Sequence, residues 1–250
     1  MASVSTIPTA RSSRLVQALC ELTEVQVREG AGPFAQRLGS LVDLADSIQL
    51  AAIQTGLEDM PFRPDVVSAN GITRDFLAER GAIVRSVVRA SEPGASTSRI
   101  RFPEVSGETP LTEAQSPEPY LSFYVAQQSE IDFKVRRLQE SVREQMSGLA
   151  VELARLAALD RALGQSIAGH SRGFFSAVPA LLRSRFDKLL AEYRETVPDQ
   201  RRTTGNWLPQ VERFRLELRG LLLAEIETRL LPATGLVEAV TDYDSKTGGS

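Results

Sequence analysis

The feature that most limits what this chain can become is a run of apolar residues in its second half: Ile131, Val135, Leu138, Val142, Met146, Leu149, Leu153, Leu156, Leu163 and Ile167. The steps are three and four, with one double step, the period that places side chains on one face of an α-helix. A continuous helix from Tyr120 to about Ala168 would be roughly 70 Å long at 1.5 Å per residue. A rod of that kind cannot bury its own stripe, so it needs other helices, from this chain or another. Val142 is entered and left by steps of four, a stutter that locally unwinds a left-handed supercoil, and Asp160 interrupts the seam before Leu163. The pattern predicts a coiled-coil-like helix with a defect.

Helical text also fills most of the remaining chain. Residues 1–12 lack periodicity and read as a disordered tail. From Ser13, an N-cap residue type, Leu15, Leu19 and Leu22 recur until Gly30-Ala31-Gly32. Pro33 then opens a helix whose Phe34, Leu38, Leu41, Ala45, Ile48 and Ala52 form a single-sided stripe. A third helix is expected over Thr73–Arg89, with Phe76, Leu77, Ile83, Val84, Val87 and Val88 inward. Residues 91–119 hold five prolines, many Ser, Thr and Glu, and few large apolar groups, a composition that predicts a flexible linker.

Beyond the long helix, Gly164, Gly169 and Gly173 predict a break, and a new helix begins near Ser176 with Pro179 in its first turn. The last helix starts near Asn206 and carries Trp207, Val211, Phe214, Leu218, Leu221, Leu222, Ile226 and Leu230 until Pro232 stops it. Residues 241–250 read as a second disordered tail. No segment alternates like a strand. The expected fold is all-α: an N-terminal helical hairpin or three-helix unit over 13–90, the 91–119 linker, and an antiparallel C-terminal bundle over 120–240 with one long coiled-coil-like helix.

Chemistry is easier to exclude than to assign. Gly169-His170-Ser171-Arg172-Gly173 spells the G-x-S-x-G nucleophile elbow, but that elbow needs a preceding strand and a later histidine. Here helical text precedes it, and His170 is the single histidine of the chain. One histidine and one cysteine cannot build the usual zinc or di-iron ligand sets, and Cys20 has no basic neighbour a turn away to activate it. Glu140 and Glu144 are i,i+4 neighbours on a solvated helix face. No phosphate-binding loop motif is present. The net charge of -3 disfavours nucleic acid, and the best basic group (Arg80, Arg85, Arg89, Arg99, Arg101) is diluted by Glu79, Glu92 and Glu104. Neither a signal peptide nor an apolar run of membrane-spanning length is visible, so the expected location is the cytoplasm.

SRLVQALCEL (Ser13–Leu22), FAQRLGSLVDLADSIQLAAI (Phe34–Ile53), LARLAALDRAL (Leu153–Leu163), VPALLRSRF (Val178–Phe186) and LLLAEIETRLLPATGLVEAV (Leu221–Val240) resemble an uncharacterised domain-of-unknown-function family of proteobacterial helical proteins of about this length. The resemblance implies no activity, cofactor or catalytic residue. It also implies an association with genes for membrane proteins that look like ion-driven stators and peptidoglycan-binding proteins.

Without a catalytic, cofactor-binding or metal-binding constellation, the expected function is that of a non-enzymatic helical adaptor or assembly factor. It would act through protein–protein contacts, with a membrane-associated complex as one candidate partner. The candidate contact residues are Phe34, Leu38, Leu41 and Ile48 on the N-terminal stripe, Ile131, Val135, Leu138, Val142 and Met146 on the long helix, and Trp207. The alternative is a homo-oligomeric coiled-coil scaffold in which 131–167 pairs with its own copy. An enzyme of unfamiliar type and a nucleic-acid-binding protein rank below both.

Overall fold

The structure, a computed structural model, describes residues 14–23, 62–65, 67–94 and 99–247. Over them run seven α-helices: α1 (Arg14–Thr23), α2 (Ala69–Ala90), α3 (Leu111–Ala114), α4 (Glu118–Ser147), α5 (Val151–Ser176), α6 (Val178–Thr196) and α7 (Thr204–Thr247), with a 3-10 turn at Asp199–Arg201 before α7. No strand occurs among the described residues, and the fold is all-α as the periodicity requires. The stripe over 33–53 lies outside the described residues.

The predicted 70 Å rod is instead a helical hairpin. Gly148 and Leu149 interrupt it, Ala150 is extended (φ -157°, ψ 155°), and α5 folds back along α4. Gly148 is what the reversal needs, because its carbonyl accepts the Asp65 N–H at 3.0 Å and a Cβ on it would lie 2.7 Å from that of Asp65. The turn falls between the two defects read in the seam, Val142 inside α4 and Asp160 inside α5. Asp160 does not interrupt a coiled coil; it receives the Arg143 guanidinium across the hairpin at 2.7 Å. The stripe also ends early: Ile131, Val135, Leu138, Val142 and Met146 are buried, whereas Leu159 and Leu163 are exposed and α5 packs through Leu153, Ala154, Ala157 and Ala162.

Helix α7 is the hub and touches each of the other six described α-helices. It runs through Pro232, where the sequence predicts a stop, and on through 241–247, where it predicts a tail. Proline removes one i→i−4 hydrogen bond, but Leu230, Ala233, Leu236, Val237 and Val240 are buried on the same face, and that packing continues across the defect. Similarly, α5 continues through Gly164, Gly169 and Gly173, where a break was expected.

Residues 99–117, read as linker, pack on the core. The Phe102 N–H donates to Ala90 O at 2.9 Å, and its ring stands 5.4 Å from those of Tyr120 and Phe123. One carbonyl, Ala114 O, accepts both Trp207 Nε1 at 2.9 Å and the Tyr120 hydroxyl at 3.1 Å. Thr204 Oγ1 donates to Thr109 O at 2.6 Å. Counting apolar residues misses this segment because its few apolar groups, Phe102 and Ala114 in the core with Ile100, Val105 and Leu111 packed beside them, are joined by bonds to backbone carbonyls. Leu15 of α1 and Ile72 and Phe76 of α2 belong to the same core cluster as Phe186, Phe214 and Leu218, so the packing does not divide at 91–119. Ser68 caps α2 by accepting the Gly71 N–H, which brings Asn70-Gly71 inside the helix; Leu77, expected inward, is exposed.

Candidate functional site

The most unusual chemistry in the described chain is a carboxylate in an apolar interior. Glu225, on the α4-facing side of α7, is 0% exposed. Tyr124, Gln128 and Asp132 lie one turn apart along α4, and Glu225 and Arg229 one turn apart along α7, so two i,i+4 ladders face each other. The Tyr124 hydroxyl donates to Glu225 Oε1. Gln128 Nε2 donates to Oε1 at 2.9 Å and Oε2 at 3.2 Å, and also to Phe175 O at 3.1 Å. Arg229 reaches Glu225 Oε2 at 3.5 Å and Asp132 Oδ1 at 2.8 Å, and its guanidinium lies 3.6 Å from the Phe175 ring centroid. These pairs show that α4 and α7 run parallel.

Burial governs the electrostatics. It raises the Glu225 carboxyl above its ordinary value, against the opposing pull of the Tyr124 hydroxyl, the Arg229 charge and Gln128. Burial likewise pushes the Tyr124 phenol well up, reinforced by the Glu225 charge, and lowers Arg229 against the help of Glu225. With no exposed surface, Glu225 offers no approach to a substrate. What the arrangement does is set the register of α4 on α7, because a one-turn slip would leave a buried carboxylate and a guanidinium unpaired.

The network reaches the surface at one point. Asp132 pairs inward with Arg229 and outward with Arg136, and it borders an open groove of about 570 Å³ lined by Ser129, Asp132, Phe133, Arg136 and Arg137. On the helical wheel, Val125, Ser129, Phe133, Arg136 and Arg137 form the face of α4 opposite Ile131, Val135 and Leu138. Phe133 is 63% exposed, the most exposed large apolar side chain among the described residues. A phenyl ring in water beside two guanidinium groups is the part of this face that core packing does not use.

The candidate contact residues lie elsewhere. Phe34, Leu38, Leu41 and Ile48 are outside the described residues. Ile131, Val135, Leu138, Val142, Met146 and Trp207 are interior, none more than 6% exposed, and Trp207 packs against Phe186 and Tyr193 at 5.7 and 5.1 Å. Their burial against this chain's own helices corrects their reading as contact residues: a stripe shows where a helix must be covered, without saying by what. The sequence signal for Phe133 is an apolar residue off the stripe between Asp132 and Lys134, which periodicity alone does not register. Residues 169–173 are helical, in α5, with no strand before them among the described residues. No described group of His, Cys, Asp and Glu is placed to hold a metal ion, and no described helix is long and apolar enough to cross a membrane.

Among protein families, the model described as protein of unknown function (DUF3348) matches residues 1–242 of the chain. No curated protein and no solved structure matches it.

Proposed function

We propose, for a chain that belongs to the DUF3348 family of proteins of unknown function, that it is a non-enzymatic helical adaptor binding another protein through the outer face of α4. The observation that carries this reading is Phe133, exposed in a groove on a helix whose inner face is already filled. Exposed aromatic side chains flanked by arginine are the composition of binding hot spots. Glu225, whose carboxyl burial raises, is sealed inside, which supports a structural use of the polar network over a catalytic one. A cytoplasmic location belongs to the same proposal, and the cytoplasmic helices of a membrane complex as partner rest on the family resemblance alone.

The test is a photo-crosslinking residue at position 133, read by mass spectrometry in native cells. One dominant heterotypic adduct is expected, absent when the probe is moved to the solvated position Glu195. Adducts only with the same chain would replace the adaptor with the self-associating scaffold. Ile131, Val135, Leu138, Val142 and Met146 are occupied by the chain's own helices, so a scaffold would also have to use the outer face.

A further inference from the structure

The groove beside Phe133 also carries information about the chemistry of its occupant, and this inference rests on the proposal that the outer face of α4 is the contact surface. Its charges are unequal. Asp132 is the single carboxylate lining it, and that carboxylate is shared between Arg136 and the buried Arg229. Arg137 has no carboxylate partner among the described residues. The acids nearest along α4 are engaged elsewhere: Glu130 with Lys134 at 3.2 Å, and Glu140 with both Arg143 and Arg161. Glu144 lies two turns beyond Arg137, about 10 Å along the helix. Inside, Glu225 offsets Arg229. The rim therefore holds one positive charge in excess, next to a solvated phenyl ring, on a chain whose net charge is -3.

The network also prepares this rim. Arg229 is held by Glu225 and by the Phe175 ring, and it holds Asp132, so Asp132 offers Arg136 a fixed partner at the groove edge. A guanidinium held in advance loses less freedom on binding than a free one. Phe133 and Arg137 are separated by one helical turn. The complementary surface is an apolar side chain with a carboxylate one turn away, which an amphipathic acidic helix presents at i and i+4.

We infer that the occupant of this groove is an acidic amphipathic helical segment of another protein, its apolar side chain on Phe133 and its carboxylate on Arg137, with Arg136 held ready by Asp132. A basic segment would face Arg137 unscreened, and an uncharged one would cover Arg137 without compensating it; both are disfavoured.

Displayed random 16-residue peptides, selected on the full-length chain, test this. Enriched peptides are expected to combine an apolar anchor with Asp or Glu three or four positions away. Synthesised singly and followed by fluorescence anisotropy, they should lose about tenfold or more in affinity on Arg137→Glu, and a peptide with its acid changed to Lys should recover binding to that variant. Both target side chains are solvent-exposed, so unchanged urea midpoints for Phe133→Ser and Arg137→Glu separate lost binding from lost folding. Binders sensitive to Phe133→Ser but indifferent to Arg137→Glu would overturn the acidic occupant and leave the contact surface standing. Binders indifferent to both, or no enrichment at all, would overturn both. A doubling of mass in light scattering that Arg137→Glu abolishes would make the occupant a second copy and refute a heterologous partner.

Discussion

Replacing Glu225 with Leu should cost about 3–5 kcal/mol, because it strands a guanidinium and a hydroxyl whose acceptor was that carboxylate. Arg229, with a side chain 13% exposed, would keep only Asp132, and the buried Tyr124 hydroxyl would lose its acceptor. Gln128 would still donate to Phe175 O. In a chain of this size the loss corresponds to a fall in Tm of roughly 6–20 °C. The informative comparison is the triple variant Tyr124→Phe, Glu225→Leu, Arg229→Met, which removes the polar groups together and keeps their volume. Asp132 then retains Arg136 and Gln128 retains Phe175 O, so no member of the network is left stranded. Its stability should return to within about 1 kcal/mol of the parent, or exceed it, as is common when a buried ion pair is exchanged for apolar groups. Urea denaturation at neutral pH, comparing midpoints at constant slope, reads both. If the triple variant is as unstable as the single, the cost does not come from unpaired buried polar groups, and the role given to Glu225 is wrong.

The pH dependence of the same site has a definite sign. The folded Glu225 carboxyl titrates above its ordinary value of 4.5, so its contribution is complete below that value and is lost as pH rises through the raised one. Wild type measured against Glu225→Gln should therefore lose relative stability as pH climbs from about 4.5; a relative gain would contradict the burial argument. Glu140 and Glu212, lowered by their arginine partners, act in the opposite sense in both proteins and cancel in the difference. Phe102→Ala should destabilise by about 3–5 kcal/mol, as for a core aromatic, whereas a flexible linker would show less than about 0.5 kcal/mol in the same urea experiment. Pro232→Ala should raise Tm by several degrees, since it restores the missing helical N–H at an exposed position at a gain of about 2 kcal/mol; an unchanged or lower Tm would mean that the proline is needed where it stands.

How much of this was legible in the chain follows from the range of the forces involved. A three-and-four period is a local property, and it assigned helix to Ile131–Met146, the helix near Ser176 and most of α7, together with the faces that are buried. The rest was decided by partners distant in sequence. Pro232 is a stop signal for an isolated helix, yet burial on either side carries α7 through it. Gly148 turns α4 back because Asp65 occupies the space a side chain would need. The linker packs because Trp207 and Tyr120 find a carbonyl at Ala114. Glu225 looked like one more acid among 32 until α4 closed over it. Periodicity determines which face of a helix must leave water; only the tertiary structure decides what covers that face, because hydrophobic attraction carries no address. The inner face of α4 is filled by its own chain, and Phe133 on the other side stays in water.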